Sequence, residues 1–170
     1  WFLWLVLCMN VSAGIGVLGR ASDMFQDMFL GSSTDAAQIR ATAAIGAGFA
    51  GLLSIFNMGG RFVWSSISDK IGRKRVYGIY FILGAVLYAL LPWAQQTQSP
   101  VAFVALAAVI ISMYGGGFAT IPAYLKDMFG SYQVGAIHGR LITAWSMAAV
   151  IGPLLLNKLY ASRVAAGVPK

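Results

Sequence analysis

Five long stretches of apolar residues, separated by shorter polar connections, most constrain what this chain can fold into. They cover residues 1–18, 41–68, 76–94, 101–125 and 136–160, and each is near the ~20 residues that a helix needs to cross a bilayer. Inside lipid a helix satisfies all its own backbone hydrogen bonds, whereas the strands of a membrane barrel need only about 9–11 residues. The sequence therefore predicts an all-α, polytopic transmembrane bundle of five helices.

The composition excludes an ordinary soluble domain. Hydrophobic residues make up 59% of the chain and charged residues 10%, against roughly 45–50% and 25% in globular proteins. The net charge of +7 does not indicate a nucleic-acid partner, because the cations cluster in the short connections between apolar stretches. The single cysteine, Cys8, lies within an apolar stretch, so neither a disulfide framework nor a metal site is predicted, and no cofactor is expected.

The distribution of charge predicts the orientation in the membrane. Cations in short loops mark the cytoplasmic side. The second and fourth connections carry such cations and are predicted to be cytoplasmic, whereas the first carries three aspartates and is predicted to lie outside. We expect a multi-pass protein of the inner or plasma membrane. The residues that decide this are Lys70, Arg73, Lys74, Arg75 and Lys126 inside, and Asp23, Asp27 and Asp35 outside.

Arg61 is a cation within an apolar stretch. It precedes Asp69 by about 12 Å of helix, and the middle of a ~30 Å hydrocarbon core is ~15 Å deep. An ionisable residue at that depth is a functional-site hypothesis by default, and the planar arginine fork matches a carboxylate. We interpret Arg61 as a counter-ion for an anionic substrate. The alternative is a structural arginine that pairs with helix carbonyls or with an internal acid.

Three aromatic residues and an asparagine are predicted to line the same substrate site. Tyr114 and Phe118 are spaced i, i+4 and share a helix face. Trp145 lies about 13 Å into the last apolar stretch, and Asn57 lies one turn before Arg61, where it could orient the guanidinium. An aromatic wall beside one cation suits a small carboxylate with an apolar remainder. The alternative for each aromatic residue is plain packing.

The fourth apolar stretch contains three consecutive glycines and a proline, at Gly115, Gly116, Gly117 and Pro122. Such a combination can kink a helix, which would make it a hinge for a moving gate. Small residues also let two membrane helices approach closely. The two interpretations are compatible, and both stay open.

Two stretches resemble a known transporter family. Residues 60–75 resemble the loop signature of the major facilitator superfamily, in which a small residue is followed by Asp and then by Gly-Arg-Lys. Here these are Ser65, where glycine is usual, Asp69, Gly72, Arg73 and Lys74. Residues 114–130 and 135–145 resemble the tenth and eleventh helices of the oxalate/formate antiporter family. The resemblance implies that residues 1–170 are the C-terminal six-helix half of such a transporter, from its seventh to its eleventh helix, without the last one.

The resemblance also implies a role for the loop signature. In the family, such clusters lock the two halves of the transporter in one state, so Asp69, Gly72, Arg73 and Lys74 are predicted to form a conformational latch. By analogy, the partner of Asp69 would lie in the N-terminal half of the same protein. The alternative is a basic loop that only sets the topology.

The predicted function is secondary active transport of a small organic anion, by exchange or together with protons. The resemblance implies that members exchanging oxalate carry a lysine where this chain has Trp145, which favours a monocarboxylate such as formate, pyruvate or lactate over oxalate. The expected partners are this anion, the lipid bilayer and the N-terminal half.

Three alternatives compete with transport of an anion. A non-transporting sensor on the same fold is one, and an exporter of cationic substrates is another, although it would need a deep acid, which the sequence lacks. An enzyme is not expected, because no catalytic set occurs at membrane depth. His138, in the first turns of the last stretch, could sense protons or could simply pack.

Overall fold

The computed structural model describes residues 1–29 and 35–165, except for the side chains of residues 28, 160 and 163–165. Over these ranges the chain forms six α-helices, and α5 and α6 together make one span. Five spans among the described residues are long and apolar enough to cross a membrane, which confirms the predicted all-α transmembrane class. The helices are α1 (Phe2–Phe29), α2 (Ala36–Ile71), α3 (Arg73–Gln96), α4 (Pro100–Phe129), α5 (Val134–Leu141) and α6 (Thr143–Ala165).

The first helix is longer than the sequence indicated. Its predicted limit was residue 18, but α1 continues to Phe29, so Asp23 and Asp27 lie on a helix rather than in a loop. The reason is tertiary packing: Ala21 and Phe25, one turn apart, are buried, while Arg20 and Asp23 form an ion pair of 3.9 Å on a more exposed side. The other spans exceed their predicted limits by one to five residues at their described ends.

Glycine makes both turns on the predicted cytoplasmic side. Gly72, between α2 and α3, has a φ of 94°, and Gly130, after α4, has a φ of 76°. This left-handed region is readily adopted only by glycine. The Gly72 amide also donates to the Ser68 carbonyl at 3.1 Å and closes the end of α2. The glycine of the loop signature is therefore required by the turn itself.

Helix α4 lies at the centre of the bundle, where it contacts α1, α2, α3 and α5. The most extensive helix pairs are α2 with α4 and α1 with α6. One end of the bundle contains four phenylalanine rings in stacked, tilted or edge-on contact, with centroids 5.0–6.5 Å apart. These rings belong to Phe25, Phe29, Phe49 and Phe103. Many large apolar side chains on the outside are exposed, as expected where a helix meets lipid.

The α2 and α4 backbones approach so closely that only glycine fits at the contact. A Cβ at Gly60 would overlap the Ser112 backbone, and a Cβ at Gly115 would overlap the Asn57 carbonyl. The Trp64 side chain likewise occupies the space that a Cβ at Gly116 would need. Helix α4 is continuous through these glycines and Pro122. These contacts favour the packing interpretation of the glycines, and the hinge remains a prediction.

The glycine contact between α2 and α4 can be tested with two neighbouring residues. We expect Gly60→Ala to lower the free energy of unfolding of the full-length protein by about 1–3 kcal/mol, because an added methyl forces two packed backbones apart. Gly59→Ala is the matched control, since a Cβ there meets nothing within 4 Å. Thermal unfolding in detergent measures both variants. Equal stability of the two would show that the close approach does not hold the bundle together.

Candidate functional site

Arg61 lies deep in the second span and has no acidic partner among the described residues. At the ~1.5 Å rise per residue of a helix, it is about 15 Å from the end of α2 at Ile71. The three ion pairs of the described residues involve Arg20, Arg73 and three aspartates, and none involves Arg61. Its Nε donates a hydrogen bond of 3.4 Å to the Asn57 side-chain oxygen. The side chain is exposed, so its guanidinium remains accessible to an anion.

An aromatic pair lies next to Arg61. The guanidinium carbon is 5.4 Å from the Phe118 ring centroid, within the range of a cation–π interaction. The Phe118 ring in turn packs edge-on against Trp145, with centroids 4.5 Å apart. The structure thus brings Arg61, Phe118 and Trp145 together from α2, α4 and α6. Together with Asn57 they form what we call the arginine site.

The arginine site depends on the helix contacts that hold its members. The backbone carbonyl of Asn57 packs against Gly115 of α4. This contact holds in place the backbone from which the Asn57 side chain extends. Trp145 follows a local break in the last span, where the Trp145 amide donates to the Ile142 carbonyl at 2.8 Å. Nearby, the Thr143 hydroxyl accepts a hydrogen bond of 2.9 Å from the Trp4 indole. This bond ties the start of α6 to α1.

Tyr114 lies partly apart from the arginine site. Its buried ring packs on Gly14, where a Cβ would overlap it, and it borders a cavity between α1, α3 and α4. Phe118, one turn after Tyr114 on α4, contacts Arg61 and Trp145 instead. Tyr114 therefore borders this cavity and does not form a continuous wall with Phe118.

Arg73 is the centre of a polar cluster where α2 and α4 end and α3 begins, on the predicted cytoplasmic side. It donates to the Ser68 hydroxyl and to the Asp69 carboxylate, and its Nε donates to Asp127 at 3.4 Å. The Arg73 side chain is only 14% exposed, whereas the two aspartates are 64% and 58% exposed. Of the predicted latch residues, Asp69 and Arg73 are in direct contact, Gly72 makes the turn, and Lys74 is exposed.

Asp127 is a member of this cluster that the sequence analysis missed. It follows Lys126, the cation used to assign the topology, and is the only acid in the C-terminal half of the chain. An acid next to a basic loop is the signal that could have found it. Ser68 was missed as well, because its role depends on the orientation of Arg73.

His138 lies on α5, close to the predicted cytoplasmic side. Its Nδ1 is buried and has no hydrogen-bond partner among the described residues, so its role as a proton sensor remains a prediction. The described part of the chain contains no group of three residues that could hold a metal ion.

Comparisons with known proteins agree with this architecture. The family model of the Major Facilitator Superfamily matches residues 16–164. The chain is 33% identical over 99 residues to the oxalate:formate antiporter of Oxalobacter formigenes, which covers 58% of this chain and 23% of that protein. It is 26% identical over 150 residues to the uncharacterized MFS-type transporter YhjX of Escherichia coli K12, which covers 88% of this chain and 34% of that protein. No solved structure matches. The matched parts span about a quarter to a third of these relatives.

A double-mutant cycle tests the contact between Arg73 and Asp127. We expect Arg73→Gln and Asp127→Asn each to destabilise the full-length protein, with a coupling free energy of about 0.2–1 kcal/mol because the pair is partly exposed. Thermal unfolding of the two single variants and the double variant gives this coupling. Arg75→Gln, which removes a neighbouring exposed cation, is the control. Strictly additive effects would mean that the two residues do not interact.

Proposed function

The chain belongs to the Major Facilitator Superfamily, and from this we propose that the full-length protein is a secondary active transporter of a small organic anion. Proteins of this superfamily are multi-pass membrane transporters and not enzymes. The substrate class, the coupling ion and the roles of individual residues are our proposals.

The exposed Arg61 at the middle of the membrane carries the proposal. A buried or membrane-embedded charge is costly unless it is paired, and Arg61 has no acid within ion-pairing distance among the described residues. Substrate sites of such transporters lie near the bilayer midplane. An organic anion supplies the charge that the chain itself does not. A cationic substrate would instead be repelled.

The surroundings of Arg61 favour a small carboxylate. Asn57 orients the guanidinium, while Phe118 and Trp145 present apolar ring surfaces beside it. A single cation neutralises a single carboxylate, so a monocarboxylate such as formate, pyruvate or lactate fits better than the oxalate dianion. The similarity to a protein named for oxalate and formate supports short organic acids as the class.

The mechanism proposed is alternating access. The anion would bind to Arg61 between this half and the N-terminal half, and the Arg73 cluster would hold the cytoplasmic ends together in one of the two states. Exchange against a second anion and co-transport with a proton are both compatible with these residues.

Transport by the full-length protein in liposomes tests the substrate class. We would measure uptake of labelled formate, pyruvate, lactate and oxalate, with either an unlabelled anion inside the vesicles or an imposed proton gradient. Stimulation by internal anion indicates exchange, and stimulation by the gradient indicates proton co-transport. If an inserted, folded protein moves none of these anions under either condition, the proposed substrate class is wrong, and a sensor or another substrate class takes its place.

Arg61→Gln tests the role of the cation. We expect it to reduce uptake at least tenfold, because the anion then loses the one deep cation that the described residues of this half supply. Arg61→Lys should recover little, since an ammonium does not reproduce a bidentate fork. Arg40→Gln, which removes a cation from the outer end of the same helix, is the control. Near-normal uptake by a correctly inserted Arg61→Gln protein would make Arg61 a structural residue.

Trp145→Lys tests which anion the site selects. A second cation next to Arg61 leaves one charge unpaired when a monocarboxylate is bound, whereas a dicarboxylate satisfies both cations. We expect the ratio of oxalate to formate affinity to rise at least tenfold. Competition by each anion against a labelled monocarboxylate measures this ratio in wild type and variant. An unchanged ratio in a variant that still transports would place Trp145 outside the substrate site.

A further inference from the structure

Trp4 of α1 makes a directional hydrogen bond to the start of α6. Its indole nitrogen donates to the Thr143 hydroxyl at 2.9 Å, and that hydroxyl donates to the Arg140 carbonyl at 2.7 Å. A hydroxyl has a single proton. Because the Arg140 carbonyl accepts that proton, the Thr143 oxygen presents a lone pair to the indole. The two bonds therefore join α1 to the junction of α5 and α6 in a defined geometry.

The rotation of α6 about its axis is not fixed by α5. Helix α5 ends at Leu141 and α6 begins at Thr143. Across this junction the Trp145 amide donates to the Ile142 carbonyl at 2.8 Å, which is a bond to the third preceding residue, as in a 3₁₀ turn. Because the regular α-helical pattern is interrupted here, contacts with a neighbouring helix have to determine how α6 is rotated.

That neighbouring helix is α1, on which α6 mainly packs. The face of α6 that is turned inward carries Ala144 and Ala148, which are fully buried. One turn further on is Gly152, where a Cβ would overlap the Ser12 carbonyl of α1. Small residues let two helices approach closely, but they have no long side chain that would resist rotation. A more specific contact is therefore needed to set the rotation of α6.

The bond from Trp4 supplies such a contact, and it acts on the arginine site. Successive residues of a helix are about 100° apart around its axis, so Thr143 and Trp145 lie on opposite sides of Ala144. The Trp145 ring reaches Phe118, with centroids 4.5 Å apart, and the Phe118 ring contacts the guanidinium of the site. A rotation of α6 that separated Thr143 from α1 would also move the Trp145 ring relative to α4.

We propose that Trp4 is a positioning residue of the arginine site and acts by fixing the rotation of α6. Through Thr143 it holds the Trp145 ring against Phe118. The consequence for transport rests on the proposed function, because it requires that the anion binds at the arginine site, whereas the geometric part does not. The alternative is a tryptophan that only anchors α1 near the membrane surface, as tryptophans at membrane–water interfaces do.

Fluorine NMR of the full-length protein tests the geometric part. 5-Fluorotryptophan is incorporated at position 145 alone, where the ring current of Phe118 contributes to its chemical shift. We expect Trp4→Phe, which keeps a ring but removes the donor, to shift this resonance by more than its linewidth. Thr143→Val, which removes the acceptor, should shift it in the same direction. Trp93→Phe is the matched control, because Trp93 lies on α3 and is 54% exposed.

The fluorine experiment has a clear negative outcome. An unchanged resonance in folded Trp4→Phe and Thr143→Val proteins would overturn the proposal and leave Trp4 as a membrane anchor. If Trp4→Phe does not fold, Thr143→Val alone decides, since it removes the same hydrogen bond and keeps both tryptophans.

Uptake kinetics in liposomes test the consequence for the site. The labelled anion is whichever of formate, pyruvate and lactate the full-length protein transports fastest. We expect Trp4→Phe and Thr143→Val each to raise KM at least threefold, and the double variant to raise it no further, because either change breaks the same hydrogen bond. Thr143→Ser, which keeps the hydroxyl, should retain the wild-type KM.

Two kinetic results would contradict the proposal. Multiplying effects in the double variant would show that Trp4 and Thr143 act independently, and an equal rise of KM in Thr143→Ser would show that the hydroxyl is not the link. If none of the anions is transported, the proposed substrate class fails, while the fluorine resonance still decides the role of Trp4.

Discussion

The close approach of α2 and α4 is the contact on which the rest of the structure depends. Gly60 and Gly115 have no side chain, and a Cβ at either position would push the two backbones apart. In a membrane, where lipid tails are as apolar as leucine, such packing is a main source of helix association. The same contact seats the Asn57 carbonyl against α4 and so sets the position from which Asn57 reaches Arg61. Packing and the candidate site therefore rest on the same glycines.

The existence of the helices could be predicted from the sequence, but their limits could not. Long apolar stretches force helices because of backbone hydrogen bonding in lipid, a local requirement. The extension of α1 to Phe29 depends on Phe25 packing against Phe49 and Phe103, which are distant in sequence. The hydropathy pattern placed the predicted end of this helix just before its first charged residues. Those residues lie on the more exposed side of a helix that continues past them.

In the candidate site, too, contacts within one helix could be predicted from the sequence, whereas contacts between helices could not. The contact of Asn57 with Arg61 follows from their spacing of one turn within a helix, and it could be anticipated. Asp127 could not be assigned to Arg73 in this way, because the pair joins the ends of two helices that meet only in the folded bundle. Tyr114 and Phe118 share a helix face by spacing, yet α4 is surrounded by other helices, so residues one turn apart have different neighbours.

The two arginines of α2 and α3 show how depth changes the role of one residue type. Arg73, at the predicted cytoplasmic end, is paired with two aspartates that remain accessible to water, so its contacts can form and break at modest cost. Arg61, predicted to lie near the middle of the membrane, contacts an asparagine and an aromatic ring and, within the described residues, no acid, so an anion would interact with it more strongly than water does. Both sites are attached to the one continuous helix α2, since Ser68 and Asp69 belong to it as well as Arg61. A change in the tilt of α2 would therefore act on both sites at once. A bound anion can shift the equilibrium between two states of a transporter only by as much as its affinity for them differs, and a charge on this shared helix is a direct way to create that difference.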